Sequence, residues 1–89
     1  MRAVITVVGK DAVGILAKVS AICAESKINI TEVTQSVLED MFCMIMMADI
    51  SESTIEFSAF SDKLAKYGEE NGLSIHVMHE DIFNSMHRI

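Results

Sequence analysis

The chain opens with an order of elements that few folds accommodate: an apolar strand, a tight Gly-Lys-Asp-x-x-Gly loop, a helix, and a second strand beginning at Ile28-Asn29-Ile30. Ala3-Val4-Ile5-Thr6-Val7-Val8 is β-branched and uninterrupted, the pattern of a central strand covered on both faces. Gly9 breaks the run. Asp11 is placed to cap a helix that starts at Asp11 or Ala12 and runs to about Ser26, with Gly14 in its first turn. Ile15, Leu16, Val19, Ile22 and Cys23 fall at the spacing of one buried stripe, while Lys18 and Glu25 lie off it.

The rest of the chain repeats the theme. Ile28 to Leu38 alternates loosely as a second strand, Glu39-Asp40 suits a hairpin turn, and Met41 to Ile50 returns as a third strand. Ser53 with Glu56 fits a capping box for a second helix ending near Asn71, with Phe57, Phe60, Leu64 and Tyr67 inward. Gly72 is the expected helix stop, and Leu73 to His79 is a fourth strand. Asp81 to Arg88 reads as one or two further helical turns with Ile82, Phe83 and Met86 apolar. The order βαββαβ predicts an α+β, ferredoxin-like two-layer sandwich plus a short C-terminal helix. Both helices are expected on one face of a sheet in the order 4-1-3-2, with strands 1 and 3 central and parallel. Residues 1–89 form a single domain, with 81–89 as its C-terminal tail.

The third strand carries a second constraint. Phe42, Met44, Met46 and Ala48 point one way and Met41, Cys43, Ile45 and Met47 the other, and both sets are apolar. A two-layer fold leaves one sheet face bare, and a bare apolar face calls for self-association or for cover by the tail around Phe83 and Met86. A homodimer or higher homo-oligomer follows. The composition, 51% hydrophobic in 89 residues, agrees. The net charge of −6 argues against direct nucleic-acid binding, which needs clustered Lys and Arg, and against an anionic membrane surface. Two cysteines, Cys23 and Cys43, read as buried reduced thiols, and the N-terminal apolar run is too short for a signal peptide. A cytoplasmic protein is expected.

A loop that exposes backbone N–H groups at a helix N-terminus can hold an anionic small molecule. The residues around it, Val7-Val8-Gly9-Lys10-Asp11-Ala12-Val13-Gly14-Ile15, then Asn29-Ile30, Thr34-Gln35-Ser36 and Phe42 through Asp49, in that order and spacing resemble the ACT domain, a small-molecule-sensing regulatory module. In pattern they are similar to short stand-alone bacterial ACT proteins and to repressor-type regulators of the glycine cleavage system. Amino-acid-binding members often carry Pro-Gly where this chain has Val13-Gly14. The resemblance implies an amino-acid-like effector site lined by Asp11, Ala12, Val13, Gly14 and Ile15. Asn29, with Ile30 beside it, reaches that site across a subunit interface. Backbone amides of residues 11 to 15 would take a carboxylate, and Asp11 and Asn29 would orient an amine. Gln35 and Ser36 are weaker candidates.

Other chemistry is thinly represented. No P-loop, dinucleotide fingerprint or nucleophile beside a base occurs, so no enzyme is expected, and neither is a catalytic residue or cofactor. Four of the seven methionines lie in Met41 to Met47, which suits adaptable packing better than a soft-metal site. His76 and His79 are three apart on a strand and so point to opposite faces, and His87 lies in the tail; no metal site is expected. The alternative from another class is a protein-interaction adaptor without a small ligand, working through the sheet face and tail with an unidentified protein partner.

Overall fold

The computed structural model describes residues 1–10 and 14–86. Its elements are β1 (Arg2–Gly9), α1 (Ile15–Glu25), β2 (Asn29–Leu38), β3 (Met41–Asp49), α2 (Phe57–Glu70), β4 (Ser74–His79) and α3 (Glu80–Met86). The four strands form one sheet in the order β2-β3-β1-β4, the ferredoxin-like arrangement expected from the sequence. All three pairings are antiparallel. The expected parallel pairing of strands 1 and 3 is therefore wrong. The helix α1 returns the chain to the end where β1 began, so β2 runs with β1. The hairpin then reverses β3, and it is β3 that slots between them.

Strand alternation sorts the side chains. Ile5 and Val7 of β1, Phe42, Met44, Met46 and Ala48 of β3 and Ile75 of β4 meet Ile15, Val19 and Cys23 of α1 and Phe60 and Leu64 of α2 in one core. On the opposite face Val4 is fully buried as well. Arg2, of the same parity, forms an ion pair with Glu80 at the start of α3, and α3 lies against β1 and β4. The C-terminal helix thus covers the β1–β4 half of the outer face. On the β2–β3 half of that face, Met41 and Ile45 are exposed among the described residues.

Two helix starts differ from the sequence reading. The N-cap of α1 is Gly14, at φ 73°, with no side-chain cap. The proposed cap Asp11 lies outside the described residues. Leu16, expected in the buried stripe, is half-exposed on the first turn. α2 begins at Phe57 with Glu56 as an uncapped N-cap residue. The Ser53–Glu56 capping box does not form. The Ser53 hydroxyl instead donates to the Ile55 carbonyl (2.8 Å) and accepts from the Ile55 N–H (3.3 Å), closing a local turn. Among the described residues no helix is long and apolar enough to cross a membrane.

α2 packs onto β4 at Gly68, where an added Cβ would lie 2.8 Å from the Leu73 carbonyl oxygen. That oxygen is backbone and cannot swing aside. Gly68→Ala should cost about 1–3 kcal/mol, read as a lower urea midpoint at unchanged slope. Burial pushes the Cys23 thiol up to about 11. The thiolate is the reactive form, so mass spectrometry after thiol labelling at pH 8 should find Cys23 unmodified until the chain unfolds.

Candidate functional site

The loop between β1 and α1 is the place to start. Gly14 adopts a left-handed conformation that costs other residues about 1–2 kcal/mol. Among the described residues, an added Cβ there would meet no atom within 4 Å. Glycine is used here for backbone geometry and not to avoid a neighbouring strand. The Lys18 N–H reaches back to the Gly14 carbonyl at 3.0 Å, closing the first helical turn. With no side-chain cap and no acidic residue in that turn, the N-terminal end of the helix dipole offers donors to an anion. Ile15 anchors the turn in the core and Leu16 flanks it. Asp11, Ala12 and Val13, which the sequence reading places in this site, lie outside the described residues.

Asn29 and Ile30 sit elsewhere. Asn29 pairs with Asp49, which pairs with Arg2, whereas Gly9 pairs with Phe42, which pairs with Val37. The two rows mark opposite ends of β1, roughly 23 Å apart at about 3.3 Å per residue. Within one chain Asn29 and Ile30 therefore do not join Gly14 and Ile15. Asn29 is exposed, and Ile30 packs on the rim of the core. Gln35 and Ser36 lie in exposed β2 near the Gly14 end, with Gln35 on the helix side and Ser36 on the outer side.

What links the two ends is β2 itself. It is an edge strand of ten residues, almost all exposed, without proline. A register shift lies between Ile30 and Glu32, where the Thr31 hydroxyl donates to the Met47 carbonyl at 3.2 Å. Beyond the shift the strand is regular to Leu38. Its helix-side residues Val33 and Val37 are exposed, Val37 at 67%. Such an edge is a template for pairing with another strand.

Two further hollows went unseen in the sequence. One, of about 120 Å³, is lined by Ile28, Ile50, Ser53, Ile55, Phe57 and Phe60. Phe57 also stacks on His79 with ring centroids 4.1 Å apart. The other, of about 200 Å³, is lined by Met1, Arg2, His79, Glu80 and Asp81. Beside it the N-terminal ammonium donates to the Ser51 hydroxyl (3.1 Å), and the Ser51 N–H donates to Asp49 (2.9 Å). The Ser51 hydroxyl and N–H hold the Asp49 carboxyl below the usual carboxylate range. No local pattern announces the second hollow, because the β1–β4 pairing brings together residues from the two ends of the described chain. His76 and His79 do point to opposite faces: His76 contacts the Ser74 hydroxyl at 3.2 Å, while His79 stacks under α2. His87 lies outside the described residues.

Residues 2–78 match the family model of the ACT domain. The chain belongs to the ACT domain family. ACT domains are regulatory small-molecule-binding modules. The chain is 51% identical over 89 residues to a UPF0237 protein of Clostridium perfringens, with all of both chains covered. It is similar to the solved ACT domain protein from Streptococcus pneumoniae, at 35% identity and TM-score 0.81 over 93% of each chain. A solved putative glycine cleavage system transcriptional repressor shares the fold, at TM-score 0.70 and 21% identity over 85% of this chain and 43% of that one. The match ends at residue 78, so α3 lies beyond the family pattern.

The site makes one prediction independent of any ligand. Asp49 has a depressed pKa in the folded state, so its interaction with Ser51 stabilises the protein above the ordinary carboxylate range and is lost as pH falls through it. Ser51→Ala should therefore narrow the stability difference between pH 7 and pH 3, measured by urea unfolding at the two values.

Proposed function

We propose that this ACT domain is a non-catalytic regulator that binds an amino acid or amino-acid-like metabolite between two copies of the chain and passes the occupancy to a protein partner. The observation that carries the reading is that Asn29 begins the exposed edge strand β2 at the end of the sheet opposite to Gly9, after which the chain leads to Gly14 and α1. Antiparallel pairing of β2 with its two-fold mate puts Asn29 of one chain opposite the partner's Leu38. That is the end where Gly9 and Gly14 lie. Two half-sites thus meet twice, each with a helix N-terminus from one subunit and Asn29 and Ile30 from the other.

The chemistry suits an amino acid. Backbone N–H groups at the start of α1 receive the carboxylate, Asp11 and Asn29 orient the ammonium group, and Leu16, Val33 and Val37 offer apolar surface to a side chain. Because each site spans two chains, a ligand favours one dimer geometry over others, and the difference in affinity is the regulatory signal. Free Cys23 and Cys43 support a reducing compartment, the cytoplasm.

A thermal-shift screen against the twenty amino acids should give a selective rise of several degrees, since ligand at 100 times its Kd adds about 2.7 kcal/mol. Asn29→Ala and Gly14→Leu should each abolish the rise. An equimolar mixture of the two variants should regain about a quarter of the wild-type sites, because random pairing makes half the dimers mixed and each mixed dimer holds one intact site. Titration calorimetry of the mixture reads that stoichiometry. A silent mixture of two folded, dimeric variants would show that the site is not shared between chains. A flat screen with wild type would leave the adaptor reading.

A further inference from the structure

At the end of the sheet where β2 begins, the chain closes around the hollow of about 120 Å³. Ile28 and Phe60 are buried there, at 4% and 1% exposure, whereas Ile50, Ser53, Ile55 and Phe57 are half-buried. The hollow therefore has a floor in the core and a rim that solvent reaches. Its walls are fixed by contacts with the rest of the chain. The Thr54 N–H donates to the Ser26 carbonyl (3.0 Å), tying the segment after β3 to the end of α1. The Ser53 N–H donates to the Ile50 carbonyl (3.1 Å), and the Ser53 hydroxyl is engaged twice by Ile55. Phe57, the first residue of α2, stacks on His79.

We propose that this hollow is a binding site for a small neutral molecule with a single ring, or a branched chain of like size, and one hydrogen-bonding group. Size sets the first limit. An apolar cavity of roughly 150 Å³ takes a benzene molecule, so about 120 Å³ leaves room for one ring and not for two fused ones. Lining chemistry sets the second. Five of the six lining residues are Ile or Phe, and Ser53 puts polar atoms beside them, so the occupant is mostly apolar with one polar end. Charge sets the third. No lining side chain is charged, so a charge drawn into the hollow would lose its hydration without gaining a partner. An anion would also face Glu52 and Glu56, both exposed, which flank the rim in the chain. The hollow shares no residue with the site assigned to Gly14 and Asn29, so it rests neither on that reading nor on the dimer. Phe57 links it to the far end of β4, since the ring that lines the hollow also stacks on His79, the residue before α3.

Phenol, which stays neutral at about pH 7, is the probe. Titrated into the full chain and followed by NMR, it should shift the methyl signals of Ile28, Ile50 and Ile55 saturably. The ring signals of His79 should move with them, while those of His76 on the outer face stay still. Benzoate, which is charged, and naphthol, which has two fused rings, should each bind about tenfold more weakly or worse. Ile55→Trp, which fills the hollow from its rim, should weaken phenol by a similar factor. Shifts that rise without saturation, or that spread equally to Val33 and Val37, would overturn the proposal. Equal affinity for the three probes would overturn it as well. So would a folded Ile55→Trp variant that binds phenol as tightly as wild type. Should that variant fail to fold, the ranking of the three probes on wild type decides alone.

Discussion

The arrangement depends on burying β1 on both of its faces. Ala3, Ile5 and Val7 pack under the helices, and Val4 is as fully enclosed on the reverse. A strand in that position must be internal, with partners on both edges, and β3 and β4 supply them in registers that leave no gap from Ala3 to Val8. With β3 and β4 beside β1, β2 lies at the sheet edge, and an edge strand's free backbone groups can accept another strand. The helix α1, delivered from the end of β1, then starts at the end of the sheet opposite to where β2 begins.

That separation is the reason the candidate site looks incomplete in one chain. Among the described residues, a single domain offers a helix N-terminus at Gly14 but no side chain that reaches over it from β2. In the proposed dimer the other half comes from the far end of the partner's copy of the same strand. Two-fold symmetry converts an end-to-end separation into a juxtaposition, and it does so only for an antiparallel partner strand. The site and the dimer are therefore one hypothesis and not two.

The sequence was most readable where periodicity was strong. The β-branched run of β1, the Ile15, Val19 and Cys23 stripe and the double apolar set of β3 gave elements and faces that the structure keeps. It was least readable at helix starts. Ser53 and Glu56 have the right spacing for a capping box, but the Ser53 hydroxyl is taken by Ile55, two residues away, and the helix begins later. Short polar side chains bond whichever backbone group lies near, and one-dimensional spacing does not say which. Gly14 was legible as a special residue, yet its conformation, left-handed at the cap and not helical in the first turn, came only with the coordinates.

Residue order determined the strand and helix succession, the buried faces and the special positions at Gly14 and Gly72, because these follow from local sterics and from periods of two and 3.6. Tertiary structure alone decided strand direction, register and distance. The antiparallel β1–β3 pairing, the roughly 23 Å that separates the row of Asn29 from the row of Gly9, and the Arg2–Glu80 contact all relate residues far apart in the chain. Such contacts are set by how whole elements pack against one another. A single sequence records the elements but not the choice among their packings.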